Sequence, residues 1–420
     1  MLDLRLIRAE PDRVRASLAR RGGAGDLDAL IALDDECRSV RTAVEQTRAE
    51  RTTASKAIGE AKRAGQDASD AEAAARRLNE RLSAHEAELR ELETRRDAEL
   101  LVLPNLAADA APDGGEDEGV ELRTVGLPPT FAFPVRDHVD IGTAAGVIDL
   151  ERAARTSGSR FVYLLGPMVR LQMALVSFAV ELLEHQGFTP VVPPVLVREE
   201  AMFGTGFFPT DRASIYQTAE DDLFLVGTSE VPLAALHQDE ILDAEALPLR
   251  YAGISSCFRR EAGAAGKDTR GMFRVHQFDK VEMFSFCHPD NSAEEHQLIL
   301  GIQERILQAL DLPYRVVDIA VGDLGASAAR KFDCEAWIPS QERYREVTSG
   351  SNCTDYQARR LRCRLRSGKA TEPVHTLNGT AIALGRTMIA ILENHQREDG
   401  SVAIPVALLQ HGAPAEIRPK

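Results

Sequence analysis

The chain has 420 residues, 44% of them hydrophobic and 27% charged, the make-up of a globular protein with room for two or three domains. With 65 acidic against 50 basic side chains its formal charge is −15, which excludes a bulk polycation, so a nucleic-acid partner would need a local basic surface. The first residues carry charges every few positions, no apolar run approaches membrane-spanning length, and six cysteines are scattered without a CxxC pair; these features argue against a signal peptide, a membrane span, a zinc ribbon and a disulfide framework, and fit a reducing, cytoplasmic setting.

In chain order, a short helix is expected to open at Glu10-Pro11, where proline suits a first turn, and to stop at Gly22-Gly23. From Leu27 to Leu103 there is no proline and much Ala, Glu and Arg. Leu33, Cys37, Val40, Val44, Thr47, Arg51, Ala54, Ile58 and Ala61 step by four and three; after a turn at 64–67 a second series follows at Leu78, Leu82, His85, Leu89 and Leu92. Such seams with polar flanks predict two long helices folded back on each other, each reaching about 50 Å at 1.5 Å per residue. On the first leg Arg38, Arg41, Arg48, Arg51, Lys56, Lys62 and Arg63 outnumber Glu45, Glu50 and Glu60, a local basic stripe that suits a phosphate backbone or, read alone, a solvated coiled-coil face.

Pro104 ends the second leg, and the small, acidic stretch 107–119 reads as an exposed linker. Beyond it a buried helix is expected over 170–185, an extended segment over 188–198, strands near 223–228, 275–286 and 314–321, and a helix over 294–310. Strands spaced without regular βαβ alternation predict a mostly antiparallel sheet flanked by helices. The fold class is therefore α+β, with a helical arm over 1–104, an acidic linker over 105–125 and a catalytic domain over 126–420.

Two clusters carry the chemistry. Cys257-Phe-Arg-Arg-Glu261, a Gly-rich loop and Met272-FRVHQFDKVE282 describe a hairpin presenting Arg259, Glu261, Phe278 and Glu282. Arginine binds phosphate in bidentate fashion, a carboxylate accepts from an amino group and an aromatic ring stacks on a base, so the set reads as an ATP site; a surface hairpin laced with ion pairs is the alternative. Gly266-Lys267 is not a P-loop, since Glu261 and Asp268 occupy positions that need glycine and Ser or Thr. In the second cluster, Asn378-Gly379-Thr380 places a hydroxyl at a tight turn. Arg386 follows at the entrance of a helix, suited to a terminal phosphate or to simple capping. Thr228, Ser229 and Glu230 share one loop, and the Glu346 carboxylate with Thr348 and Ser349 offers oxygens suited to hydrated Mg²⁺; either run alone also suits turn chemistry.

On these motifs the chain resembles the class II aminoacyl-tRNA synthetases, and among them the bacterial seryl-tRNA synthetase family, from end to end. Residues 257–282 resemble motif 2, 379–393 motif 3, and 170–197 with Pro193-Pro194 motif 1, the family's dimer interface. The resemblance implies ATP, Mg²⁺, L-serine and tRNA(Ser) as ligands and a homodimer as the assembly. It implies catalytic roles for Arg259, Arg386 and Glu346, ATP contacts from these with Arg260, Glu261, Phe278, Val347, Thr348 and Ser349, and Mg²⁺ at Glu346 and Ser349. Serine would be enclosed by Thr228, Ser229, Glu230, Arg259, Glu282 and Thr380, and tRNA gripped by Arg38, Arg41, Arg48 and Arg51 on the arm. Thr348, Gly350 and Thr380 stand where the family more often has Ser, Cys and Ser. The competing readings are a paralogue from specialised metabolism or antibiotic resistance, a ligase that loads a carrier protein, and a coiled-coil scaffold with an inactive core. The long arm speaks against the carrier-loading reading, and the intact Arg259, Glu261, Phe278, Glu282 and Arg386 against the scaffold.

Overall fold

The structure, a computed structural model, describes residues 1–23, 25–262, 266 and 268–420. Part of the Gly-rich loop, Lys267 included, lies outside the described residues. The backbone divides into two units, Leu2–Pro104 and Asn105–Lys420, the latter with Met1.

In the first unit helices α1 (Leu4–Ala9) and α2 (Pro11–Arg20) precede the two long helices α3 (Leu27–Arg63) and α4 (Ser69–Val102). Asp26 caps α3 by accepting from the Ala29 N–H at 3.0 Å, and Gly65, at φ +69°, turns the chain after it. Cys37, Val44 and Thr47 of α3 and Leu82 and Leu92 of α4 are buried, which follows the expected seam, and the buried Leu30 and Leu100 extend it beyond the expected series. Two positions depart from it. Arg51 is exposed, and Asp34 is buried because Arg8 grips it at 2.6 and 2.8 Å while Arg96 stands 3.7 Å away. Of the four arginines expected to meet tRNA, Arg38 pairs with Asp35 at 3.4 Å, Arg48 reaches Glu86 at 2.7 Å and Arg41 pairs with Glu93. Arg51 has no ion pair among the described residues. Exposed pairs of this kind are worth about 0–1 kcal/mol, so they leave the cations available to a competing anion.

The second unit is built on eight strands: β1 (Val120–Val125), β2 (Thr189–Val191), β3 (Leu249–Phe258), β4 (Gln277–Cys287), β5 (Tyr314–Asp318), β6 (Arg330–Ile338), β7 (Arg343–Thr354) and β8 (His375–Ala383). Their order is β1-β5-β6-β7-β8-β4-β3-β2, antiparallel throughout except for the β2–β3 pair. Helices α5 (His138–Ala144), α6 (Pro167–Glu184), α7 (Glu230–Ala235), α8 (Ser292–Ala309) and α9 (Leu384–Asn394) accompany it. Met168, Leu171 and Leu175 of α6, Ile299 and Ile306 of α8, and Met388 and Ile391 of α9 share one core with Val281, Met283, Phe332 and Leu377 of the sheet. Along β4 the alternation sets Phe278, Lys280 and Glu282 on the face opposite Val281 and Met283, although the half-buried Phe278 ring still packs against the rim of that core. Among the described residues no helix is long and apolar enough to cross a membrane.

The segment read as an exposed linker is largely docked. Asn105 donates through Nδ2 to Ser327 O and Cys353 O, both at 2.9 Å, and to Thr354 Oγ1 at 3.0 Å. Ala107 and Ala111 pack with Val317, Ile319 and Val321, and β1 adds an edge to β5. Composition signalled the acidic surface of this stretch but not its small apolar underside. Asn378 to Thr380 also lie inside β8 rather than at a turn, with a bulge just beyond, between Thr380 and Ile382.

Candidate active site

The hairpin expected from 257–282 is present, with Cys257 opposite Phe278 and Phe258 opposite Gln277. At its open end the Arg259 N–H donates to His276 O at 2.9 Å and Arg259 Nε donates to Gly227 O at 3.3 Å, while the guanidinium carbon stands 5.3 Å from the centre of the Phe278 ring. Glu261 sits at φ +52°, outside the usual range for a residue with a side chain, and its carboxylate is paired with Arg274. Opposite the hairpin, the first turn of α9 presents Arg386, whose Nη1 lies 3.0 Å from both the backbone oxygen and Oε1 of Glu346. Phe273 supports this corner, its ring centre 3.9 Å from the Arg345 guanidinium and 4.8 Å from that of Arg386. The charge of Arg386 is the chief reason that the Glu346 carboxyl is held below its ordinary value.

These side chains enclose two adjoining cavities of about 240 and about 1070 Å³ that share Phe273, Arg274, Glu346 and Arg386. The smaller is also lined by Arg259, Glu261, Phe278, Lys280, Val347 and Thr380. Not every residue expected there contributes. Arg260 is exposed and outside both linings, the Ser229 hydroxyl is fully buried and packs toward Gly253, and the buried Thr348 is absent from the walls.

Behind the cavity lies a buried polar network. Lys280 Nζ donates to Thr228 Oγ1 at 2.7 Å and is paired with Glu282, and the Thr380 hydroxyl donates to Glu282 Oε2 at 3.4 Å. Glu230 Oε1 accepts from Gln357 Nε2 at 2.7 Å and from Asn378 Nδ2 at 3.0 Å. Burial, and then the charge of Glu282, push the Glu230 carboxyl up to about 7. Sequence reasoning missed Lys280, although the period-two pattern that sets Phe278 and Glu282 on one face also sets Lys280 there. It missed Asp333 as well. This residue faces Ser349 across β6 and β7, its Oδ1 is buried without a hydrogen-bond partner, and burial followed by the charge of Glu346 raises its carboxyl to about 7.

Arginines spaced across an antiparallel sheet, an aromatic ring beside one of them and a helix entrance bearing another define a class II aminoacyl-tRNA synthetase core, and residues 213–395 match the family model of the tRNA synthetase class II core domain (G, H, P, S and T). Residues 1–107 match the seryl-tRNA synthetase N-terminal domain. The chain is 51% identical to the serine–tRNA ligase of Acidothermus cellulolyticus over 421 residues, with 100% of each chain covered, and 50% identical to that of Nocardia farcinica with the same coverage. It belongs to the seryl-tRNA synthetase family. Among solved structures, the seryl-tRNA synthetase from Pyrococcus horikoshii complexed with ATP superposes with a TM-score of 0.95 at 42% identity, covering 100% of both chains. The cytoplasmic serine-tRNA ligase from Naegleria fowleri in complex with AMP gives 0.89 at 34%, covering 100% of this chain and 99% of that one.

Proposed function

We propose that this chain activates L-serine with ATP to seryl-adenylate and then transfers the seryl group to the 3′ end of tRNA(Ser). The observation that carries the reading is the meeting of two chemistries: a cationic cavity at Arg259 and Arg386 opens beside the hydroxyl- and carboxylate-lined set of Thr228, Glu230, Glu282 and Thr380. In this reading Arg259 holds the α-phosphate, Phe278 and Glu261 receive the adenine, and Arg386 holds the γ-phosphate. No general base is required: the serine carboxylate attacks phosphorus in line while fixed guanidinium groups neutralise the developing charge. Mg²⁺ fits the oxygens of Glu346, Ser349 and the unpartnered Asp333 Oδ1, a hard donor set, and when bound it would neutralise phosphate charge. Exposed apolar side chains along α6, Val169 and Met173 among them, support a second copy of the chain as the partner of that face. Six buried, unbridged cysteines support a reducing, cytoplasmic setting.

Serine-dependent ATP–pyrophosphate exchange tests the reading. Serine is expected to support exchange at least about a hundredfold better than alanine, because a site built to pair a hydroxyl leaves buried polar groups unsatisfied with an analogue that lacks one. Strong exchange with another amino acid and none with serine would overturn it.

The serine pocket also carries a pH dependence. Glu230 ordinarily titrates near 4.5 and here near 7, so between those values the free site holds a proton that an exposed glutamic acid would have lost. That proton favours the free folded site at low pH, and the advantage is gone once the pH has risen through 7. The serine ammonium favours the ionised form, so below pH 7 binding must expel the proton. KM for serine is expected to rise by up to about tenfold per pH unit as the pH falls from 7 toward 5. The Glu230→Gln variant should bind serine weakly but without that slope; an identical slope in the variant would assign the titration to another group.

A further inference from the structure

We propose that His138 and Glu393 form a positioning pair that sets the returning limb of the ATP hairpin, and through it the seat of Arg386. Glu393, at the far end of α9, is fully buried; its Oε1 accepts from the His138 N–H at 3.0 Å and stands 2.9 Å from His138 Nδ1, and its Oε2 accepts from the Ser340 N–H at 3.1 Å. The Met272 N–H donates to the other ring nitrogen, His138 Nε2, at 3.2 Å. An N–H pointed at Nε2 requires that nitrogen to be the acceptor, so the ring hydrogen is on Nδ1 and faces Glu393. The carboxylate therefore fixes the tautomer, and the tautomer fixes the backbone at Met272.

The neighbouring positions are shaped for this contact. Gly271 has φ +81°, and a Cβ there would come within 2.0 Å of His138 Nε2. Arg270 pairs with Asp137 at 2.8 Å and Asp140 at 2.6 Å, beside the same short helix. The residue after Met272 is Phe273, the ring against which Arg345 and Arg386 rest. The pair thus joins the end of α9 to the hairpin limb that supports the arginine at the start of α9. Among the described residues, none of the hydrogen bonds of these two side chains goes to a residue assigned to serine.

The inference rests on the cavity being the ATP site, which exchange by the unmodified protein tests separately. In exchange assays His138→Leu should raise KM for ATP about tenfold or more and leave KM for serine within about twofold. His138→Gln, whose amide oxygen can accept from Met272 at the place of Nε2, should recover most of the ATP affinity. Equal ATP KM values for the Leu and Gln variants would reduce His138 to packing and overturn the proposal, as would parallel loss of both substrates. If the Leu variant does not fold, Gly271→Ala decides: it keeps His138 and Glu393 but forces Met272 away from the ring, and should reproduce the selective rise in KM for ATP. An unchanged ATP KM in that variant would also overturn the proposal.

Discussion

Replacing Arg386 with alanine is expected to lower serine-dependent ATP–pyrophosphate exchange by about a hundredfold or more, the usual cost of removing one preorganised charge from a transition state. The fold should survive, since Met388, Ile389, Ile391 and Leu392 carry the packing of α9 while the Arg386 side chain projects into the cavity. What the substitution removes is larger than one contact. Arg386 is the main reason that the Glu346 carboxyl lies below its ordinary value, and without it Glu346 faces the buried Asp333 carboxyl with less compensation. An incoming triphosphate would then meet a site more acidic than before. Arg259→Ala should match the loss from the opposite wall: the backbone bond from Arg259 to His276 O survives the substitution and keeps the hairpin end in place, while the guanidinium that Nε anchors at Gly227 O is lost. Near-normal exchange by either variant would mean that the nucleotide binds elsewhere.

The parts of this molecule that were legible in its sequence are those governed by local rules. Heptad spacing, the absence of proline and a glycine turn gave the two long helices of the arm, and period-two alternation gave β4 with its functional face. The failures have a common cause in distant partners. Asp34 is buried in the seam only because Arg8 and Arg96 neutralise it, and no short-range pattern announces that triad. Ser229 and Thr348 belong to the right motifs, yet the neighbouring fold turns their hydroxyls into the protein. Residues 107–119 look like linker from their charges, while two alanines among them complete a satellite core with Val317 and Ile319. Asp333 and the His138–Glu393 pair carry no motif of their own. Each acquires meaning from a residue that only the sheet or the return of α9 brings beside it.

Deleting residues 2–104 is expected to separate the two halves of the reaction. The cut falls just before Asn105, whose three side-chain bonds to Ser327, Cys353 and Thr354 belong to the remaining unit and should keep its new start in place. Every residue assigned to ATP and serine stays, as does the exposed apolar face of α6 proposed to meet a second copy, so the shortened protein should remain folded and within about twofold of full serine-dependent exchange. Transfer to tRNA should fall by about two orders of magnitude or more. The loss follows from where the removed charges lie: the stripe over 38–63, with seven basic against three acidic side chains, is gone, while the remaining chain keeps an acidic excess. The ion pairs that Arg41 and Arg48 make with Glu93 and Glu86 do not weaken the expectation, because pairs this exposed yield to a phosphate at a cost of about 1 kcal/mol or less. If Arg38, Arg41, Arg48 and Arg51 each neutralise one phosphate, the affinity of the intact protein for tRNA should fall with a log–log salt slope of about −3, roughly fiftyfold between 50 and 200 mM. Full-rate charging by the shortened protein would show that the arm does not recognise tRNA. A flat salt dependence in the intact protein would instead remove the arginines, and not the arm, from that role.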